Sequence, residues 1–415
     1  MYTVYATDRE YTRLIAQGDD AVAADQPFQA LQAYSGAIAR RPDSMLAHLK
    51  RGMVYRSRGE LNEALTDLHR AAALDPTATR PAELVGDTHL SLQRFDQAAS
   101  RYETYLSLDD RSARVWYKLG LARYRAGRVD AAVDPLQSAV ALDEGLAEAH
   151  FVLGLSFRDR KQMAAARRSL ETAALLAPGL TAPREALAAV YRASGENARA
   201  IDQLEALAAL DPTHPDRLVA LGLAHARARR FDAAVLILSR AVERFPDEAQ
   251  VYAALGNVWL DAAEVRDDHV ALKKAIEALS TASEHSDASS AALTDLGRAC
   301  LLAGETACAE RALRQATERL PIEAEAFLHL ATAARRAGKI QEARDSLIRY
   351  VALMGDSASL APLAAQIASD SLLVGDPLLA LRWIDRAVDD AGATPALTAL
   401  RRRAETGLTG TDAAR

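Results

Sequence analysis

Cysteine is almost missing from this chain. Its 415 residues include two, Cys300 and Cys308, too few for a disulfide framework or a four-ligand zinc site. Aromatics make up 5% although half the residues are hydrophobic, so the apolar content is mostly Ala, Leu and Val, helix-rich material. No apolar run approaches the roughly 18 residues of a membrane-spanning helix, so no membrane insertion is expected. Neither sign of charge dominates: 50 Lys and Arg stand against 56 Asp and Glu, a net −6. With no block of like charge, a chain that coats nucleic acid or an anionic membrane is disfavoured. H-E-x-x-H, G-x-x-x-x-G-K-[ST] and G-x-G-x-x-G are all absent, which removes the commonest zinc, nucleotide and dinucleotide signals. No enzyme activity, metal or cofactor is therefore expected. The opening MYTVYATDRE has neither the charged leader nor the apolar core of a signal peptide. A cytoplasmic location follows if Met1 is the natural start, and a periplasmic or secreted one if a leader has been removed. No Gly-, Ser- or Pro-rich linker divides the chain.

A strict period is present instead. Ala30, Ala64, Ala166, Ala200 and Ala234 differ by 34 residues or a multiple of it, and Pro42, Pro76, Pro178, Pro212 and Pro246 follow the same rule. Such self-similarity marks a repeat array. With position 1 at Tyr11, position 8 is Gly18, Gly52, Gly86, Gly120, Gly154, Gly222 and Gly256, with Ala188 as the exception. Position 11 is commonly aromatic or His, as in Tyr55, His89, Phe157, Tyr191, His225 and Trp259. Positions 4, 7, 8 and 11 share one helix face, and 20, 24 and 27 share a face of a second. Gly59, Gly127 and Gly195 at position 15 break the chain between them. Each unit is therefore a helical hairpin, helix A then helix B, with small residues at 8 and 20 allowing close backbone approach. Proline at position 32 stops helix B.

These residues resemble the tetratricopeptide repeat; Trp116, Leu119, Gly120, Ala132 and Ala139 show the pattern well in the fourth unit. The resemblance covers over nine-tenths of the chain. It implies an all-α, right-handed superhelical solenoid of about eleven hairpins over residues 11–394. Residues 1–10 form an N-terminal extension, extended or disordered. Residues 395–415 supply a capping helix and tail, since terminal repeats need a cover for their apolar face. Seven extra residues fall in repeat eight, where 261–274 lengthen the hairpin by about two helical turns that project from the edge. Three more fall around Ser357 to Pro362.

In this family helix A lines the inner face, and a peptide or partner helix is usually bound through positions 2, 5, 9, 12 and 13. In repeats two to seven those positions give an apolar strip of Leu49, Met53, Tyr117, Leu121, Tyr124, Phe151, Leu155, Val219 and Leu223. Arg56, Arg80, Arg114, Arg125, Arg158, Arg192 and Arg227 border it, and Glu83, Asp87, Glu148, Asp159, Glu185 and Asp216 share the same positions. The groove is nearly neutral, which again disfavours nucleic acid. Acids near helix starts and arginines near helix ends also suit the helix dipole without any ligand. One subfamily grips a C-terminal carboxylate with Lys at position 5 and Asn at position 9. Here the pairs are Ile15 with Asp19, Leu49 with Met53, and Tyr117 with Leu121, so that clamp is not expected.

The histidines are scattered; His48, His89, His150 and His225 occupy packing positions. Cys300 and Cys308, at positions 11 and 19 of repeat nine, read first as two small buried thiols. Oxidation to a disulfide is the alternative, and it would point to a secreted or periplasmic setting. The expected function is that of a scaffold binding an unknown protein or peptide in the groove. The alternatives are the targeting half of an envelope-export or glycosyltransferase system, or a solenoid that self-associates as a homodimer.

Overall fold

The position-15 breaker governs the architecture more strictly than its glycines suggest. A computed structural model describes residues 2–355 and 361–412, and these contain twenty-three helices and no strand. The residue at position 15 has positive φ in ten of the eleven hairpins: glycine at 59, 127, 195, 304, 338 and 375, but Asp25, Gln93, Lys161 and Arg229 in four others. In repeat eight the left-handed residue is Asp267, displaced by the insertion. At each turn an amide one residue further on reaches back to helix A, as in Glu60 N to Tyr55 O at 2.9 Å and Gln162 N to Phe157 O at 2.9 Å. This is the closure expected of a helix ended by a left-handed residue. The signal read as an occasional glycine is a backbone conformation that every unit adopts.

Contacts divide the chain into two compact units, Met1–Ala206 and Leu207–Arg415, each described by itself. The first holds α1 (Tyr2–Ala23), α2 (Pro27–Arg40), α3 (Met45–Ser57), α4 (Leu61–Leu74), α5 (Thr79–Ser91), α6 (Phe95–Leu108), α7 (Ala113–Arg125), α8 (Val129–Leu142), α9 (Ala147–Asp159), α10 (Met163–Leu176) and α11 (Thr181–Ala193), and it ends within α12 (Asn197–Leu210). Every A helix from α3 to α11 begins at position 1 of the 34-residue frame. Residues 1–10 do not stand apart: α1 starts at Tyr2 and runs through them. Nothing in this stretch breaks a helix, and Arg41 bonds the Asp8 carboxylate.

The second unit continues with α13 (Pro215–Arg227), α14 (Phe231–Arg244), α15 (Ala249–Arg266), α16 (His269–Glu284), α17 (Ser290–Leu302), α18 (Thr306–Glu318), α19 (Ala324–Arg336), α20 (Ile340–Met354), α21 (Ala361–Val374), α22 (Pro377–Ala391) and α23 (Pro395–Asp412). Helix α23 covers the last hairpin through Leu397 and Ala404, packed with Ala387 and Ile384. The three extra residues near Ser357 fall mostly on 356–360, outside the described residues.

The insertion lengthens both arms of its hairpin, to 18 and 16 residues, with the Asp268 carboxylate capping α16. Its inner face is not a free projection: Ala263, Ala271 and Leu272 are buried in one cluster with Leu296 and Leu301 of α17. Val265 and Val270 stay exposed on the outside. Beside this cluster Cys300 and Cys308 are joined as a disulfide, with Cα atoms 5.9 Å apart. The reading as two free thiols is thus replaced. The turn that returns Glu305 N to Cys300 O at 2.8 Å sets the start of α18 against the last turn of α17.

Packing inside each hairpin follows one rule. A Cβ placed on Gly154 would lie 2.6 Å from Leu170 Cγ, and one on Gly222 would lie 2.5 Å from Leu238 Cγ. Position 8 is bare because position 24 occupies its space. In repeats one and three the occupant is tyrosine: a Cβ on Gly18 or Gly86 would strike the ring of Tyr34 or Tyr102.

Candidate peptide-binding face

Successive A helices of the first unit lie side by side and are tied by polar contacts. Lys50 of α3 bonds Asp19 of α1 at 2.5 Å, and Lys118 of α7 bonds Asp87 of α5 at 2.8 Å and Glu83 at 2.7 Å. The tyrosines complete the pattern: Tyr34 OH donates to Asp19 at 2.7 Å, and Tyr102 OH to Asp87 at 2.8 Å. Burial alone would push the Asp19 carboxyl up, but the bonds from Lys50 and Tyr34 outweigh it and hold it below the usual carboxylate range. Glu83 behaves likewise, with burial opposed by Lys118 and Arg80. Burial, and then the adjacent carboxylate, push both tyrosine hydroxyls far up.

Of the strip expected on this face, one part assembles. Tyr117, Leu121 and Tyr124 of α7 and Phe151 of α9 are half-buried and pack on one cluster that includes Leu136, Val152 and Leu153. Phe151 and Leu155 also lean on Leu170 and Leu187. Tyr124 OH donates to Asp159 at 2.9 Å, and Arg158 pairs with the same carboxylate at 2.8 Å. Burial pushes the Tyr117 and Tyr124 hydroxyls up, with Glu148 and Asp159 adding to it. Arg114, Arg125 and Arg192 are exposed, and Arg80 is held by Glu83 at 2.7 Å.

Leu49 departs from the expectation. It is 9% exposed and sits in the core with Ala64, Leu68 and Leu84, covered by the helices of its own hairpin and the next. Val219, Leu223 and Arg227 belong to the second unit, where the two aliphatic side chains pack half-buried on Leu238 and Val258 and Arg227 is exposed.

Met53, 39% exposed, and Arg56 face an open cavity of about 600 Å³ among α1 to α5. Val22, Val54 and Leu61 give it apolar wall, and Asp19, Lys50 and Ser91 give it polar rim. Arg56 lines the cavity and reaches Asp87 at 3.5 Å. The groove positions of repeats two to seven do not point to Val22 or Lys50. A signal was nevertheless present: Asp19, Tyr34 and Lys50 recur as Asp87, Tyr102 and Lys118, two units later.

The four histidines at packing positions sit within the scaffold. His48 Nδ1 bonds the buried Asp67 at 2.9 Å, and Arg51 clamps that carboxylate with two bonds of 2.6 and 2.8 Å. His150 Nε2 meets the Glu144 carbonyl at 3.1 Å, while His89 and His225 are 6% exposed.

Models of the tetratricopeptide repeat match residues 15–79, 86–147, 191–258 and 303–358, more than half of the chain. The chain belongs to the tetratricopeptide repeat family. Hsp70-Hsp90 organizing protein 3 of Arabidopsis thaliana is 30% identical to this tetratricopeptide chain over 84 residues, which are 20% of this chain and 15% of that protein. Among solved structures, yeast Tom70 is 13% identical, with 91% of this chain and 99% of Tom70 covered at a TM-score of 0.47. YrrB, described as a TPR protein with an unusual peptide-binding site, is 21% identical, with 46% of this chain and 97% of YrrB covered at a TM-score of 0.41. The tetratricopeptide array contains no described helix long and apolar enough to cross a membrane.

Proposed function

We propose that this tetratricopeptide protein is an interaction scaffold, not an enzyme, that receives an extended peptide or a partner helix on the A-helix face of its first unit. The observation that supports this is the side-by-side placement of Tyr117, Leu121, Tyr124, Phe151 and Leu155, all half-buried, in the unit that also holds the open cavity at Met53 and Arg56. Apolar side chains that keep part of their surface in water can supply affinity when a partner covers it, while rim charges set orientation and on-rate. Arg125 and Arg158 would meet acids flanking the apolar residues of the incoming segment. The matched Arabidopsis protein is a chaperone organiser by name, but the Lys and Asn of a carboxylate clamp are absent here at Leu49/Met53 and Tyr117/Leu121, so chaperone tails are not the proposed ligand.

The test is peptide selection against the purified array, followed by affinity measurement with Leu121→Glu/Leu155→Glu. Loss of binding with an unchanged helical signal and melting point supports the reading. Retained binding with the fold intact moves the interaction off this face. Loss of binding and stability together reduces these side chains to core.

A further inference from the structure

The chain's two cysteines and the repeat-eight insertion lie against each other in the second unit, and the geometry points to a metal site that opens when the disulfide is reduced. Cys300, in the last turn of α17, is fully buried, and Cys308, in the first turn of α18, is half-buried. The carboxylate of Glu305 stands with them: the two Sγ atoms and a Glu305 oxygen all lie within 4.8 Å of one another. Glu305 is exposed, and its carboxylate makes no ion pair among the described residues. Two sulfurs and one oxygen, converging from either side of a tight turn, are a donor set for zinc, with water completing the tetrahedron. The start of α18 favours the negative charge that the ligands carry when deprotonated.

The insertion supplies a second, independent observation. Its added turns place Ala263, Ala271 and Leu272 in the apolar cluster that encloses Cys300. The site therefore has an apolar back and one polar mouth at Glu305, an arrangement that limits solvent access to the ligands. A hairpin of ordinary length would not carry the added turns.

In the disulfide state the sulfurs are spent on each other. Two electrons and two protons from a dithiol reductant cleave the Sγ–Sγ bond, give two thiols and leave the reductant as its own disulfide. A divalent cation then displaces both thiol protons to solvent and takes the Glu305 carboxylate as third ligand.

The experiment titrates cobalt(II) into the intact chain, reduced by a phosphine and freed of it, with far-UV circular dichroism followed alongside. Expected are one cobalt per chain, thiolate-to-cobalt charge-transfer bands and tetrahedral ligand-field bands, all displaced by zinc. The oxidised chain and Cys300→Ser/Cys308→Ser show none of these bands, and Glu305→Gln shifts the ligand-field bands and weakens retention. The proposal is overturned if the reduced, folded chain gives no charge-transfer band, or if the band survives in the double variant. It is overturned equally if reduction alone unfolds the helices. A Glu305→Gln spectrum identical to the parent's removes the carboxylate and with it the three-ligand assignment.

Discussion

Replacing Gly154 tests the repeat frame and the hairpin packing together. An added Cβ would sit 2.6 Å from Leu170 Cγ, 2.8 Å from its Cδ2 and 3.2 Å from its backbone nitrogen. Carbon pairs rest at about 3.5–4.0 Å, so roughly 1 Å must be recovered by moving a branch point or the whole of α10. Leu170 is 0% exposed and has no empty space to enter. Overpacking of this kind costs about 1–3 kcal/mol, and alanine regains about 1 kcal/mol over glycine in a helix. Gly154→Ala should therefore lose about 0–2 kcal/mol and Gly154→Leu about 3–5 kcal/mol. Alanine is tolerated at this position where the hairpin is built for it: Ala331 and Leu347 are both buried in the tenth repeat. In urea denaturation followed by circular dichroism, the midpoint should fall while the slope holds. Leu170→Ala in the Gly154→Ala background should cost less than the two single changes added together, by about 1–2 kcal/mol. A Gly154→Leu protein that unfolds at the parent's midpoint, or a strictly additive cycle, would refute the close-contact argument.

Lys161 and Arg229 hold φ values of 59° and 60°, a conformation that costs an L-residue about 1–2 kcal/mol; allowing for the looser unfolded chain, Lys161→Gly and Arg229→Gly should each gain about 0.5–1 kcal/mol in the same assay. Burial, with His69 and two arginines nearby, lowers the His89 pKa from 6.5 to about 4. The folded state thus prefers the neutral ring, and this contribution is complete above pH 6.5 and lost as pH falls through about 4. At about 1.4 kcal/mol per unit it amounts to roughly 3 kcal/mol, so His89→Tyr should flatten the melting curve against pH in that window. Turns that merely projected from the edge of repeat eight could be deleted with the fold intact. With Ala263, Ala271 and Leu272 in the core, the deletion should instead lower stability by about 2–4 kcal/mol, read as a drop in melting temperature.

The fold was legible because one spacing carries it. Glycine at 8, alanine at 20 and 27 and proline at 32 each report a local steric demand, and a period of 34 repeats the demand often enough to fix the frame. What escaped were features that do not depend on residue type at one position. The left-handed turn is adopted by Lys161 and Arg229, at a cost, as well as by Gly59, so composition hides it. Leu49 and Met53 looked equivalent on the helix, yet Leu49 is core and Met53 borders a cavity, because neighbouring hairpins decide which side of the helix is covered. Lys50 was missed because its partner is one hairpin away. The cysteine pair was ambiguous for the same reason: spacing places the two sulfurs near each other but does not say whether they bond.

The recurrence of Asp19, Tyr34 and Lys50 as Asp87, Tyr102 and Lys118 makes the first four hairpins two couples rather than a row of four. Within each couple a lysine spans the joint to an acid that also holds a tyrosine; between the couples no lysine does so, and the A helices meet through the apolar packing of Leu49 and Leu84 and through Arg56 reaching Asp87 at 3.5 Å. Under load from the N-terminus this alternation of lysine ties predicts an uneven peel. Were the lysine ties to govern the order of rupture, hairpins would leave in pairs, each release freeing 68 residues of chain, about 240 Å of extended length. The first four hairpins would then be a ratchet with two coarse teeth, and a force trace through them would show double-height steps.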